Sequence, residues 1–538
     1  MRILLNLSGH ARHWLLSFGL IGAGMLNTLA FAPFEHRYMP ILTMLLLGVA
    51  LLLATSKRQA WWYGWCYGVG WFGLGISWVH VSIATFGGMP LLASLGLMAL
   101  LVAYLALFPA LALWLSFSCA QAKPHWRLAL LPLFWVLAEN LRSWVLTGFP
   151  WLSLGYSQTE GWFGSLAPFI GETGITFVLV LLSMTLVFTA WQIQQPSQAA
   201  INSTLHSRPK PVWQISMGLS VVLLALPLFS HKYQAYQPTG QQQAVTLVQG
   251  NIEQSLRWDA AEELNIMKKY MTLTRPQLKE RLIIWPEAAI PQLEIRAQAY
   301  LINLDMQLAE QNSSLVTGIL DIRRDGTAYN GMVVLGKFSD QASKGDYRYE
   351  GKNRYRKHHL LPIGEFVPFE DWLRDVAPFF DLPNSSFTRG DYIQTNLLAS
   401  NQQLLAALCF EIAFPRQIQA NFAADTDLLL TVSNDAWFGD SIGPHQHLQI
   451  AQMRAREFAR PLLRATNNGI TAIVTPDGKI SHRLPQFEDG VLNADIALVQ
   501  GRSLYAITGD WPLYALNLIL LAFVLWRYTP WQRTTDAQ

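Results

Sequence analysis

The chain is poor in charged residues. Asp, Glu, Lys and Arg make up 14% of its 538 residues, whereas about 25% is usual in soluble domains. The formal net charge is only +3. Basic residues do not form a stripe with interleaved aromatic side chains, as they do in many nucleic-acid-binding proteins. These shortages argue against an ordinary soluble protein and against a nucleic-acid partner.

Cysteine is also scarce. The chain has three cysteines, Cys66, Cys119 and Cys409. An odd and small count excludes a disulfide framework, and no Cys/His spacing indicates a metal site. Cys66 lies in an apolar tract and Cys119 just after one, whereas Cys409 lies in a polar part of the chain. We therefore expect no metal and no cofactor, and a free thiol at position 409.

Long apolar runs, in contrast, are abundant. A helix needs about 20 mostly apolar residues to cross the hydrocarbon core of a membrane. Seven such runs precede residue 232 and an eighth lies near the C-terminus. These runs predict a polytopic α-helical membrane domain of seven transmembrane helices at 1–232 and an eighth transmembrane helix at 508–530. The runs lie near 14–33, 39–55, 60–80, 90–117, 126–146, 168–191, 213–230 and 511–527.

Lysine and arginine accumulate on one side of these predicted spans. The short loops of the other side carry little beyond Arg37. Because the basic side is normally cytoplasmic, we expect a multi-pass protein of the bacterial inner (cytoplasmic) membrane, with both termini cytoplasmic and the large domain periplasmic. Interpreting the first run as a signal peptide cleaved near 30–32 leaves this placement unchanged. The basic residues are Arg2, Arg12, Lys57, Arg58, Lys123, Arg127, Arg208, Lys210, Arg527 and Arg533.

Two features of the predicted membrane domain have two interpretations each. Glu139 and Arg142 are three residues apart, so they either pair on one helix face inside the bundle or lie at the membrane interface. The loop 147–167 is rich in Trp and Tyr and has no Lys or Arg. It is either an entry path for lipid or an aromatic belt at the headgroup level, and the belt is the simpler interpretation.

Strand and helix patterns alternate between residues 240 and 503. This alternation predicts an α/β domain with a well-covered sheet. Short apolar runs with turn residues behind them predict buried strands, and longer runs with 3.6-residue spacing predict helices. The predicted strands are 244–252, 281–290, 313–320, 329–336, 404–410 and 426–434, the helices 259–280, 294–312 and 447–465, and the hairpin 470–480.

Reactive side chains lie at the ends of the predicted strands. Glu287 follows LIIWP, and Lys357 precedes Glu365 by eight residues in YRKHHLLPIGEFVPFE. Cys409 and Glu411 lie in ALCFEIAFP, directly after an apolar run. A carboxylate, an ammonium and a thiol would meet if these strand ends converge.

These three groups suit nucleophilic catalysis. A neighbouring cation such as Lys357 lowers a thiol pKa, so that more thiolate is present. Glu287 would take the thiol proton. The Lys357 ammonium and the backbone N–H of Phe410 would stabilise the oxyanion formed by attack on an ester carbonyl.

Each residue taken alone has a plainer explanation. A cysteine after an apolar strand is usually a packed small side chain. A lone glutamate at a strand end is usually solvated or caps a helix, and a lone lysine is usually on the surface. The prediction of an enzyme therefore depends on the combination.

In this order, the three stretches resemble the nitrilase (carbon–nitrogen hydrolase) superfamily, with its Glu-Lys-Cys triad. WPE, the lysine before H-L-x-P-x-G-E, and C-F-E after an apolar strand match its pattern. Seven predicted spans before the domain and one after it narrow the resemblance to the bacterial inner-membrane N-acyltransferases of lipoprotein maturation. FPWLSLGYSQ (149–158), VQGNIEQSLRWD (248–259) and SNDAWFG (433–439) add to this resemblance.

The resemblance implies an αββα sandwich for 240–503 and a role for eight residues. Glu287 would be the general base, Lys357 the stabiliser of the oxyanion and transition state, and Cys409 the nucleophile. The family often has Tyr after the cysteine, so any role of that hydroxyl is in doubt for Phe410, whose backbone N–H is unaffected. Residues implied to matter for activity or loop positioning are Trp258, Glu365, Glu411 and Trp437.

The resemblance also implies a two-step reaction. Cys409 would take an acyl chain from a membrane phospholipid as a thioester. The α-amino group of the diacylglyceryl-cysteine of an apolipoprotein would then accept the chain as an amide, with ping-pong kinetics. The segment 367–383, rich in Phe, is a candidate lid that keeps water from the thioester, or else a core helix.

Two other functions remain open at this stage. A membrane-anchored nitrilase-type amidase would use the same triad with water as the second nucleophile, although eight spans exceed what an anchor needs. A transporter or sensor with a periplasmic ligand-binding domain would not need Cys409 at all.

Overall fold

The computed structural model describes residues 8–528 apart from 87, 122, 195–211, 231–232, 258, 324, 340–344, 363 and 367–386. Trp258 and the candidate lid 367–383 therefore lie outside the described residues. Two compact units are present. The helical unit comprises the described parts of Met1–Ser77, Leu95–Tyr233 and Thr508–Gln538, and the α/β unit those of Trp78–Ser94 and Gln234–Ile507. The domain limits predicted above remain predictions, and the α/β unit includes 78–94 in addition.

Helices overlap all eight predicted apolar runs. Among the described residues, three are long and apolar enough to cross a membrane: Leu91–Cys119, Trp162–Gln194 and Trp213–Ser230. Met39–Leu53 and Trp511–Phe523 are apolar but shorter. The count of eight spans therefore remains a prediction. The long helices are Gly9–Asn27, Met39–Leu53, Lys57–Gly75, Leu91–Cys119, Pro124–Arg142, Ala167–Gln194, Val212–Ser230 and Trp511–Tyr528.

Glu139 and Arg142 form an ion pair in the helical unit. Arg142 is 1% exposed and also donates to the carbonyl oxygen of Trp151 at 2.7 Å. The side chains of Trp151 and Tyr156 are each 1% exposed. The aromatic-belt interpretation is therefore wrong for these two side chains, because they pack inside the helical unit.

Among its described residues, the α/β unit contains thirteen strands and five α-helices of five residues or more. The helices are Glu263–Thr274, Gln298–Glu310, Pro415–Asn421, Gly443–Phe458 and Leu504–Thr508. The strands are β1 Gln237–Gln249, β2 Leu282–Ile284, β3 Ile290–Leu293, β4 Ser314–Ile322, β5 Ala328–Gly336, β6 Arg354–Arg356, β7 Leu397–Ala399, β8 Gln402–Leu408, β9 Leu428–Ser433, β10 Leu462–Thr466, β11 Ala472–Val474, β12 Ile480–Arg483 and β13 Gly490–Gln500.

These strands form two sheets with an apolar core between them. One sheet has the order β13-β1-β2-β4-β5-β6, with β3 paired to β4, and the other β12-β11-β10-β9-β8-β7. Since successive side chains of a strand point to opposite faces, Ile284 lies in the core between the sheets, and Ile283 lies in a second core with the helices Glu263–Thr274 and Gln298–Glu310. The helix Gly443–Phe458 packs against β10. The layers are helix, sheet, sheet and helix, and the predicted α/β class is confirmed.

One predicted helix is wrong in its C-terminal part. The pattern at 447–465 predicted helix throughout, but the helix ends at Phe458 and Ala459 is left-handed with φ 52°. Residues Leu462–Thr466 form β10, which pairs in parallel with β9. A short apolar run fits a buried strand as well as a helix. The pairing with β9 makes this run a strand.

The strand directions bring the reactive residues to one edge of each sheet. β2 and β4 are parallel, and β6 has the direction of β4 because each is antiparallel to β5. Glu287 and Lys357 therefore follow carboxyl ends at the same edge, where polar sites of parallel sheets usually form. Gly318 of β4 allows the Glu287 turn to approach, because a methyl group there would lie 2.7 Å from the Cα of Glu287.

Candidate active site

Cys409 occupies a strained turn at the end of β8. It begins a short 3₁₀ helix, Cys409–Ala413, and has φ 53°. A non-glycine residue in the left-handed region is strained, and such strain is common at functional sites. The thiol is half-buried, and the hydroxyl of Ser433, the last residue of β9, lies 3.4 Å from its sulfur.

Lys357 lies between two carboxylates. Its Nζ is 2.8 Å from both carboxylate oxygens of Glu365 and 3.7 Å from Oε1 of Glu287. All three residues are buried. The amide of Asn330, in β5, donates to Glu287 at 2.8 Å and to Glu365 at 2.9 Å. The structure thus brings Lys357, Glu287 and Glu365 together and adds Asn330, which sequence patterns did not identify.

Both the carboxylate and the backbone of Glu287 accept further hydrogen bonds. The backbone N–H of Asn434, just after β9, donates to Oε2 of Glu287 at 3.0 Å. The buried guanidinium of Arg257 donates to the carbonyl oxygens of Glu287 and Ala288. Sequence reasoning missed both residues, although Asn434 follows a strand end as the identified residues do, and Arg257 adjoins Trp258.

Lys357 stays cationic despite its burial. Burial alone would lower the pKa of its ammonium, but the charges of Glu365 and Glu287 outweigh burial and raise that pKa overall. A fixed positive charge is therefore present beside the thiol.

The pKa of the Cys409 thiol is raised overall. Burial and the negative charge of Glu287 raise the pKa of its thiol to about 12, and the opposing effect of Lys357 is smaller. Lys357 lowers this pKa, as expected, but it does not offset the other two effects. The thiol is protonated at neutral pH, so a base must take its proton during attack.

Glu411 connects the Cys409 turn to the segment that carries Lys357. Its carboxylate is fully buried and accepts five hydrogen bonds. Two of the donors are the backbone N–H groups directly after Lys357, and one is the N–H directly before Cys409. The donors are Tyr355 Oη, the backbone N–H groups of His358, His359 and Leu408, and Gln417 Nε2.

The remaining described aromatic candidates are Phe410 and Trp437. Phe410 is 6% exposed and packs edge-to-face on Phe414, with ring centroids 5.1 Å apart. Trp437 is half-buried on the turn Asp435–Phe438, and its carbonyl oxygen accepts a hydrogen bond from Ser82 at 2.6 Å.

Family models match both parts of the chain. Residues 244–506 match the family described as carbon-nitrogen hydrolase, and residues 23–185 match the apolipoprotein N-acyltransferase N-terminal domain. The α/β unit is thus a nitrilase-like domain.

Curated relatives that match over nearly the full length of the chain identify its family more closely. An apolipoprotein N-acyltransferase of Photobacterium profundum is 44% identical over 513 residues, 94% of this chain and 94% of that protein. Another, of Shewanella oneidensis, is 45% identical over 509 residues, 93% of this chain and 94% of that protein. The chain belongs to the apolipoprotein N-acyltransferase family and is an acyltransferase. Among solved structures, an amidase of Nesterenkonia sp. AN1 is similar at 18% identity, 52% of this chain, 97% of that chain and a TM-score of 0.36.

The raised thiol pKa makes a direct prediction for alkylation of Cys409. In a variant with Cys66→Ala and Cys119→Ala, the rate of reaction with iodoacetamide should rise about tenfold per pH unit up to pH 9.5, because only the thiolate reacts. Glu287→Gln should speed alkylation at every pH in that range, since it removes a negative charge that raises the pKa of Cys409.

Peptide mass spectrometry of Cys409 measures these rates. Glu310→Gln, at an exposed helix end, is the matched control and should leave the profile unchanged. A plateau near pH 8.5 in the wild-type profile, or slower alkylation in Glu287→Gln, would contradict the prediction.

Proposed function

We propose that this enzyme transfers an acyl chain from a membrane phospholipid to the α-amino group of the diacylglyceryl-cysteine of an apolipoprotein, through a thioester on Cys409. The observation that carries the proposal is the burial of Lys357 between two carboxylates, with its charge acting on the thiol of the strained Cys409. Membership of the apolipoprotein N-acyltransferase family supports the two substrates.

In the first step Glu287 takes the Cys409 proton as the sulfur attacks the ester carbonyl carbon. The oxyanion that forms is stabilised by the Lys357 ammonium and the backbone N–H of Phe410, which are donors of the kind that acyl transfer requires. The ester C–O bond breaks, and Glu287 gives its proton to the leaving oxygen of the lysophospholipid. The acyl chain remains on sulfur as a thioester.

In the second step the α-amino nitrogen attacks the thioester carbonyl carbon. Glu287 removes a proton from this nitrogen, and the same two donors stabilise the second oxyanion. The C–S bond breaks, an amide forms, and the sulfur regains a proton. Because Cys409 starts and ends as a thiol, the two substrates react in turn, as in ping-pong kinetics.

The other candidate residues support this machinery in our proposal. Glu365 holds the Lys357 ammonium in place through two contacts of 2.8 Å. Glu411 keeps the Lys357 segment and the Cys409 turn in a fixed relative position through its hydrogen bonds to both. Trp258 and Trp437, by resemblance, matter for activity or loop positioning.

The proposed membrane arrangement follows from the substrates. Both are lipids of the inner membrane, so an active site tethered on both sides to membrane helices stays near them. We propose seven transmembrane helices within 1–232, a periplasmic catalytic domain at 240–503 and an eighth helix at 508–530, with both termini cytoplasmic. Three apolar helices long enough to cross a membrane support this arrangement, and so does the distribution of Lys and Arg.

Labelling in cells tests the orientation. In a variant with all three cysteines replaced, Gln241→Cys on the exposed start of β1 should react with a membrane-impermeant maleimide in cells with a permeabilised outer membrane. Lys57→Cys should react only after lysis, because its side should be cytoplasmic. The reverse labelling pattern would rule out a periplasmic domain.

Intact-mass analysis tests the thioester. Incubation with phospholipid alone should add one acyl chain to the wild-type protein, and hydroxylamine should remove it, because thioesters are hydroxylamine-labile. Cys409→Ser should gain no such adduct. Adding a peptide with an N-terminal diacylglyceryl-cysteine should move the chain to the peptide as an amide.

Each rival function has a distinct outcome in the same experiment. Release of free fatty acid without amide would indicate an amidase-type hydrolase. Full cellular function of Cys409→Ala, with no adduct in the wild type, would indicate a transporter or sensor.

A further inference from the structure

A buried polar cluster lies behind the nucleophile and has no role in the reaction as described. It consists of Asp435, His447 and Arg464, which are 2%, 0% and 0% exposed. Asp435 follows β9, Arg464 lies in β10 and His447 lies in the helix Gly443–Phe458. Three ionisable side chains at such depth need mutual hydrogen bonds to offset their lost hydration.

Hydrogen bonds connect this cluster to the backbone of Cys409. Nη2 of Arg464 lies 2.6 Å from Oδ2 of Asp435 and 3.1 Å from Nδ1 of His447. Nε2 of His447 lies 3.1 Å from the carbonyl oxygen of Cys409. The imidazole therefore lies between a guanidinium and the carbonyl group of the nucleophile.

These partners determine the tautomer of His447. A carbonyl oxygen only accepts, so Nε2 must carry a hydrogen, and a guanidinium only donates, so Nδ1 must be the acceptor. Oδ1 of Asp435, which is 3.2 Å from Nδ1, accepts instead from the hydroxyl of Ser433 at 2.6 Å. Burial and the charge of Arg464 lower the pKa of His447, which agrees with a neutral ring.

The bond to the Cys409 carbonyl has a consequence for the neighbouring N–H. The carbonyl of Cys409 and the N–H of Phe410 belong to one planar trans peptide, so they point in opposite directions. Fixing the carbonyl toward His447 also fixes the direction of the Phe410 N–H, away from His447. Since Cys409 has φ 53°, this peptide lies in a strained turn that needs such support.

We infer that His447 is a positioning residue for acyl transfer: its Nε2–H holds the Cys409 carbonyl and thereby aims the Phe410 N–H at the oxyanion. Arg464 and Asp435 hold the imidazole in the required tautomer. The inference rests on the proposed function, because it takes Cys409 as the nucleophile and the Phe410 N–H as an oxyanion donor.

A second set of contacts fixes the His447 ring from the side. Its ring packs edge-to-face on Phe438 at 5.8 Å, and Phe438 packs edge-to-face on Trp78 at 4.6 Å. The indole N–H of Trp78 donates to Gln446, the neighbour of His447, at 3.2 Å. The segment Trp78–Ser94 thus helps to hold His447 in the α/β unit.

Two nearly matched variants test this inference. His447→Gln can keep an N–H donor near the Nε2 position, whereas His447→Asn has its amide near the Nδ1 position and leaves the Cys409 carbonyl without this donor. We expect His447→Asn to slow single-turnover thioester formation by about 10- to 100-fold. The upper limit is about the effect of losing one oxyanion donor outright. The KM for phospholipid should not change, and His447→Gln should recover most of the rate.

A second measurement separates positioning of the N–H from a general loss of structure. Alkylation of Cys409 by iodoacetamide forms no oxyanion, so its rate should be the same in wild type, His447→Asn and His447→Gln. Thermal unfolding shows that the variants are compared in the folded state. Wild-type thioester formation in His447→Asn would overturn the inference, and so would an equal loss of alkylation and acylation. Retained acyl transfer in Cys409→Ala would instead overturn the proposed function itself.

Discussion

A single ammonium group held between two buried carboxylates is the constraint on which this active site depends. Lys357 balances Glu365 at 2.8 Å and Glu287 at 3.7 Å, and without it two negative charges would lie close together in a poorly hydrated space. The charge of the same ammonium lowers the pKa of the Cys409 thiol. In the proposed mechanism the same charge also stabilises the oxyanion.

The site is held mainly by groups that do not react. Glu411, through five hydrogen bonds, ties the backbone before Cys409 to the backbone after Lys357. Asn330 bridges the two carboxylates that flank Lys357. A buried donor or acceptor that loses its partner costs about 1–3 kcal/mol, so these contacts keep the reactive groups in one arrangement. Preorganisation of this kind is what an enzyme needs when charge develops on a substrate oxygen.

Sequence reasoning proposed the reactive residues because each follows a strand end in a recognisable short motif. It missed Asn330, which lies inside β5 and differs from other strand residues only through its tertiary contacts. It missed His447 and Arg464 for the same reason, and the misassigned helix 447–465 hid the strand that carries Arg464. It identified the cation that lowers the thiol pKa, but not the burial that outweighs this effect, because burial is a property of the folded chain. Apolar runs located the helices, but their number across the membrane remains a prediction.

The central claim is that the Lys357 charge drives the first acyl transfer, and one measurement tests it directly. Lys357→Met keeps a long side chain without the ammonium, and Lys352→Met, on an exposed residue of the preceding segment, is its matched control. Single-turnover formation of the Cys409 thioester at saturating phospholipid should fall by about 10²–10³-fold or more in Lys357→Met, the range for loss of one oxyanion donor, and should be unchanged in Lys352→Met. Thioester formation at the wild-type rate in folded Lys357→Met would contradict the account.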